Sequence, residues 1–150
     1  MGVDPGVRGG VAVLDDHGRV VFVRGLRPDM SEDDLVGLLN TAASVLLSNG
    51  GWECYLEKVG YIPGDGAQGA FTFGDITGFL RGFMRARGLA VRRVSPQLWQ
   101  AKLECMTRGD KNVTKRRAAA LFPGVKVVHA VADALLIALY GQSLSSPERL

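Results

Sequence analysis

Four ionisable residues of this 150-residue chain stand where they could reach one place. Asp4 closes the opening run "MGVD" and is followed by "PGVRGG". Its carboxylate therefore sits where the chain turns sharply, and Gly6, Gly9 and Gly10 let a phosphate or a metal ion come close. Glu57 lies in "CYLEKV", a run whose alternating side chains read as a strand. His129 and Asp133 open the apolar stretch "HAVADALLIALYG" four positions apart. On a helix that spacing offsets them by only about 40 degrees, so both can point at one site.

Each of the four also has an ordinary reading. "DPG" is common turn chemistry, a strand-end Glu can be solvated, a His on an apolar helix is usually a satisfied core residue, and an Asp near a helix start complements the dipole. Taken together they form a pattern. Three carboxylates at one point repel one another, a cost that a bound divalent cation offsets. Oxygen-rich ligation favours Mg²⁺ or Mn²⁺ over zinc, and Mn²⁺ accommodates one histidine. The chemistry such a set supports is two-metal hydrolysis of a phosphodiester.

Basic residues are placed to serve that chemistry. Residues 102 to 117 hold Lys102, Arg108, Lys111, Lys115, Arg116 and Arg117 against Glu104 and Asp110, so the local excess is larger than the net +3 of the whole chain. A second cluster, Arg81, Arg85, Arg87, Arg92 and Arg93, has no acid inside it. Charge runs are usually solvated faces, but two beside a carboxylate site suit phosphate binding.

The elements that must position these residues follow from periodicity and turn signals. A short first strand ends at Asp4, and "VAVLD" and "RVVFVRG" around "DHG" read as a hairpin. Ser31 caps a helix with apolar Leu35, Leu38, Leu39, Ala42 and Leu46. "ECYLEKV" is a strand, and the Gly-rich "GYIPGDGAQGA" reads as a loop after it. "FTFGDITGFLRGFMRARG" is helical, with Phe79, Phe83 and Met84 on a face that could pair with a second copy. "LAVRRVS" is a further strand, Pro96 starts a helix, and Thr114 is placed to cap another. A strand meander followed by alternating strands and helices predicts a mixed sheet flanked by helices. Only Met1, Gly2 and Val3 precede Asp4, against the usual five or six residues of a strand, so the first strand is short or the native start lies upstream.

Length and a 47% hydrophobic content predict a single domain over 1–150. Cys54 and Cys105 lack zinc or disulfide spacing, which predicts a reduced intracellular compartment, with Cys54 in the core. No secretion signature and no apolar run of about 20 residues is present, so no membrane association is expected.

"GVDPGVRGGVAVLD", "YLEKV" and "HAVADALLIALYG", in that order and at about that spacing, resemble the RuvC-type Holliday junction resolvases of the RNase H-like superfamily. "GYIPGDGAQGAFTFGDITGFLRG", "VSPQLWQAKL" and "KRRAAALFPG" are most similar to its plastid and phage branch. The resemblance implies an α/β RNase H-like fold with a three-strand antiparallel meander plus parallel strands. It implies a homodimer that nicks two opposed strands of a four-way DNA junction, leaving 5′-phosphate and 3′-hydroxyl ends.

Asp4 resembles the family's first-strand acid, Glu57 the second and Asp133 the last-helix acid. By that analogy Asp4 bridges two Mg²⁺ ions about 4 Å apart, with Glu57 on one and His129 and Asp133 on the other, and Mn²⁺ can substitute. Many bacterial members place an acid or histidine three residues before the last acid, which here is Ala130, whereas His129 lies four before it, as in the plastid-type branch. The resemblance further implies Lys102 near the scissile phosphate and Lys58, Arg108, Lys111, Lys115, Arg116 and Arg117 on junction arms. Tyr61, Phe71 or Phe73 would stack on an unpaired base, although both phenylalanines also suit a core or dimer contact. No organic cofactor is expected, and the branch leans toward a bacterial or phage-infected cytoplasm. Two other readings stay open, an RNase H-like nuclease for ribosomal RNA precursors and a junction-binding module without catalysis. A sugar-kinase or actin-like domain needs a longer chain.

Overall fold

The computed structural model describes residues 1–58, 60 and 66–145. Five strands form one sheet: β1 (Gly2–Asp4), β2 (Gly10–Leu14), β3 (Val20–Gly25), β4 (Glu53–Glu57) and β5 (Ala90–Val94), in the order β3-β2-β1-β4-β5. β1 and β2 pair antiparallel, as do β2 and β3, giving the expected meander. β4 and β5 extend it in parallel on the other side of β1. β1 is short, but Met1 prolongs its pairing with β4, because the Met1 carbonyl accepts from Tyr55 N at 2.8 Å and its ammonium donates to the Glu53 carbonyl at 3.1 Å.

Alternation decides which side of the sheet each residue serves. Val3, Val11, Val13, Cys54 and Leu56 face helices α1 (Glu32–Ser48) and α2 (Gly66–Ala86), packing with Leu39, Ala42, Leu80 and Met84. Gly2, Asp4, Gly10, Ala12, Tyr55 and Glu57 are left for the other side. There α5 (His129–Ser145) crosses β1, β2 and β4, backed by α3 (Pro96–Lys102) and α4 (Asn112–Leu121). α5 lies very close to the strands. A side chain at Gly2 would run into Ala134 and Ala138 of the helix backbone, and one at Gly10 into the Ala130 carbonyl. Alanines four apart on the helix and glycines on the strands permit this approach.

α1 begins as its sequence dictates. Ser31 Oγ accepts from Asp34 N at 3.1 Å, and the Asp34 carboxylate accepts from Ser31 N at 3.0 Å, a complete capping box. Two other elements differ from expectation. α2 starts at Gly66, so 66–70 belong to the helix and not to the loop that their glycines suggest. The exposed, glycine-rich first turns are carried by the core contacts of Leu80 and Met84 further along. Met84 is accordingly buried and not on an outer face, while Phe79 and Phe83 are half-buried and stacked with ring centroids 6.5 Å apart. Thr114 is not a cap: α4 starts two residues earlier, Asp110 accepts from Asn112 N at 2.9 Å, and Thr114 turns inward. No helix among the described residues is long and apolar enough to cross a membrane.

Candidate active site

Strand register brings the first two acids together. Gly2 lies beside Tyr55 and Val3 beside Leu56, so the next step sets Asp4 beside Glu57 at the carboxyl ends of adjacent parallel strands. Such neighbours are about 4.8 Å apart and point to the same face. Asp133 approaches from above, one turn into α5. The tight seat of Ala130 on Gly10, the partner of Asp4 across β1 and β2, fixes the height of that turn. Asp4 Oδ1 accepts from Gly6 N at 3.1 Å, and Gly9 lies so close to Asp4 that only glycine fits.

The three carboxylates feel one another. Burial pushes the Asp4 carboxyl up to about 6, with the charge of Asp133 adding to it and the Gly6 N–H opposing. Glu57 is pushed up to about 8 by burial and then by Asp4 and Asp133. Asp133 is raised as well, again by burial first. Lys111 at the start of α4 opposes all three shifts. Among the described residues no three of His, Cys, Asp and Glu are drawn together closely enough to share an ion. In this arrangement the acids share a field and not a coordination sphere.

The residues expected at the site divide by place. Asp4, Glu57 and Asp133 gather; His129 is exposed at the first residue of α5, where it lowers the carboxyl of Asp133. Lys111 stands against the acids, whereas Lys102 lines a cavity of about 520 Å³ with His17, Leu121, Phe122 and Gln142. Gln142 is nine residues, or about 13 Å of helix, from Asp133. Arg116 pairs with Asp110 at 3.5 Å. Arg117 pairs with Glu104 at 3.6 Å and donates from Nε to the Leu103 carbonyl at 2.8 Å. Lys58 and Arg108 are exposed, and Lys115 is half-buried. Phe71 is 77% exposed and Phe73 half-buried on α2, and Tyr61 lies outside the described residues. The second basic cluster is dispersed, with Arg92 on Glu53 at 2.8 Å and Arg87 on Ser44 at 3.4 Å.

Two residues at the site have no signal in the four-residue pattern. Trp99 of α3 is fully buried and lowers the Glu57 carboxyl, while its indole nitrogen makes no hydrogen bond. The buried Thr114 hydroxyl lies against Asp133, lowering it, and donates to the Lys111 carbonyl at 3.2 Å. Asp133 Oδ1 is buried with no hydrogen-bond partner. A Trp three residues after a helix-starting proline could have been recognised as a core residue with a polar handle. Nothing in the local sequence ties Thr114 to Asp133.

Comparison with known proteins finds similarity in sequence and in fold. The chain is 31% identical over 102 residues, 64% of its length, to the chloroplastic Holliday junction resolvase MOC1 of Chlamydomonas reinhardtii. The match spans only 12% of that protein. No family model matches. Among solved structures, T. thermophilus RuvC in complex with a Holliday junction substrate superposes with a TM-score of 0.67 at 20% identity, over 96% of this chain and 92% of that one. Thermus thermophilus RuvC gives 0.65 at 20% identity, over 97% and 95%. The resemblance read from the motifs is borne out in sequence similarity to the plastid branch and in architecture, and the fold of this chain is the RNase H-like fold of RuvC.

Proposed function

We propose that the chain is a structure-selective endodeoxyribonuclease that resolves four-way DNA junctions, working as a homodimer and nicking two opposed strands to leave 5′-phosphate and 3′-hydroxyl ends. The observation that carries this reading is the register pairing of Asp4 with Glu57 on parallel strands, faced by Asp133 from α5. The similarity to a plastid junction resolvase supports the choice of DNA substrate.

The donor set suits Mg²⁺ or Mn²⁺. It is oxygen-rich, burial raises all three carboxyls, and Asp133 Oδ1 is a buried acceptor without a donor. Asp4, Glu57 and Asp133 would hold the ions, with His129 at the exposed margin. When bound, a pair of such ions activates water for in-line attack and neutralises charge on the phosphate.

The chain's own residues do the rest. Glu57, with a carboxyl at about 8, carries a proton at neutral pH and releases it as positive charge arrives. Gly6 and Gly9 leave the backbone beside Asp4 open to a phosphate. Lys111 holds that phosphate from the α4 side, and Lys115, Arg116 and Arg108 follow the arms through backbone contacts. Phe71, exposed on α2, is available to stack on an unpaired base at the crossover. Branched DNA in a bacterial or phage-infected cytoplasm would be the natural substrate.

The test is nicking of a synthetic four-way junction with Mg²⁺ or Mn²⁺, beside a structured RNA of equal length. Asp4→Asn and Asp133→Asn should each abolish nicking while junction binding persists. Retained cleavage in both variants would overturn the site, and preferential cleavage of the RNA would overturn the substrate.

A further inference from the structure

Lys102 stands apart from the acids, on the wall of the cavity of about 520 Å³ beside the far part of α5, and it pairs with no acid among the described residues. Four elements meet there: the tip of the β2–β3 hairpin, the end of α3, the last turns of α4 and the second half of α5. Because β2 runs antiparallel to β1, the hairpin tip lies at the end of the sheet opposite Asp4. Small-molecule sites have volumes of about 300–1,000 Å³ and are mostly apolar, with a few convergent polar groups. This lining has that composition. Leu103, Leu121, Phe122 and Leu139 supply the apolar surface. Arg117 is held in place, since Nε donates to the Leu103 carbonyl at 2.8 Å and the guanidinium pairs with Glu104 at 3.6 Å. Glu104 itself keeps a left-handed backbone, with φ of 54°, a strained conformation of the kind found where side chains clamp a ligand. Gln142 Nε2 donates to the Asp15 carbonyl at 2.7 Å, which leaves its Oε1 beside Gly18, where φ is 78° and no side chain intrudes.

We infer that this cavity is a binding site for an amphipathic carboxylate, with its apolar body against Leu121, Phe122 and Leu139 and its head between Lys102 and Arg117. Charge selects the head. Lys102 and Arg117 face one carboxylate, Glu104, and with His17 neutral the wall carries a surplus of a single positive charge. A carboxylate balances that surplus, whereas a phosphomonoester brings about −1.5 to −2 at neutral pH. The rest of the lining selects the body, since four apolar side chains offer nothing to a sugar or a polar chain. An aliphatic and an aromatic acid share this chemistry. Binding there requires neither a metal ion nor DNA.

Isothermal titration of the full chain with octanoate and with hydrocinnamate, in the absence of metal and DNA, tests this. At least one should bind saturably, and the tighter of the two shows whether the natural body is aliphatic or aromatic. Octanamide, of the same shape but uncharged, should bind about 10-fold or more weakly than octanoate, the usual loss when a charged hydrogen-bonding partner is removed. Lys102→Met should weaken octanoate by a similar factor and leave octanamide unchanged. Lys102 is exposed, so this variant folds as the wild type does. Leu121→Trp, at a position 38% exposed on the cavity wall, should fill the space and abolish binding of all three compounds. No binding of either acid, equal affinity for octanoate and octanamide, or unchanged octanoate affinity in Lys102→Met would each overturn the site. Tighter binding of thymidine monophosphate than of either acid would overturn the carboxylate. Displacement of octanoate by a four-way junction would overturn the separation from the DNA surface and give the cavity to the nucleic acid.

Discussion

Glu57 and Asp4 invert the usual behaviour of surface acids. Asp15, Asp34, Glu53 and Asp110 are lowered by their hydrogen-bond and cationic partners, against some opposing burial, so their contribution to stability is lost as pH falls through their folded values. The site acids are raised, to about 6 and about 8, so through these two groups the folded chain holds more protons than the unfolded one between about pH 4 and pH 8, opposed near the upper end by the buried Met1 ammonium, which burial lowers. Stability from these groups is greatest at the acidic end and declines as pH rises across that window. In a chelating buffer the melting temperature should fall from pH 5 to pH 8, and Glu57→Gln should raise it at pH 8. Differential scanning calorimetry decides the matter, and a melting temperature that climbs with pH in the wild type but not in the variant would contradict the raised carboxyls. Mg²⁺ should protect more at pH 8 than at pH 5, since the ligands must ionise to bind it. The four ionisable residues were legible because Asp before glycines and a His/Asp pair at helical spacing are local patterns. The exposure of His129 was not, because it depends on how the chain enters α5 across 125–128, where no periodicity exists to read.

At the scale of elements, the distance between α5 and the sheet is set by missing side chains. Gly10→Val would press against the Ala130 carbonyl and should destabilise by about 1–3 kcal/mol, the usual range for overpacking. It should also lower metal affinity, because the first turn of α5 carries Asp133. Urea unfolding and Mn²⁺ binding on the same variant test both, and an unchanged midpoint would show that the seat is loose. Ser31→Ala at the α1 cap is the contrasting case. It should cost about 1 kcal/mol and leave nicking untouched, since that capping box is exposed and lies on the α1 side of the sheet. Caps of this kind are local and were readable in full. The start of α2 and the inward turn of Thr114 were not, because distant contacts decided them: Leu80 and Met84 against the sheet, and α4 against α5.

For the whole molecule, the hairpin, the alternation of strands and helices, and the three separated motifs sufficed to foresee a mixed sheet with acids at one end. They did not reveal how charge is spread. Lys111 is the basic residue that the three acids feel, Lys102 lines a cavity beside the far part of α5, and Arg92 is held at Glu53. Sequence clustering could not distinguish these because it ignores which way each helix faces. Removing Lys115 should weaken junction binding by a similar factor for any DNA sequence and reduce the salt slope by about one, as expected for a phosphate contact. Removing Lys111 should also slow nicking at saturating DNA. Filter binding at several salt concentrations with single-turnover kinetics separates the two, and equal nicking rates in both variants would remove Lys111 from the site.

The pairing of Asp4 with Glu57 depends on counting along two strands that have only three and five residues. One residue inserted in β4 before Glu57 would carry its carboxylate through the sheet, to the side of Leu39 and Leu80. Two inserted residues would restore the side but displace the acid by about 6.6 Å along the strand. Chain length within β4 is therefore a parity constraint on the reaction, so length variation among active descendants of this sequence should be confined to the connections between its elements.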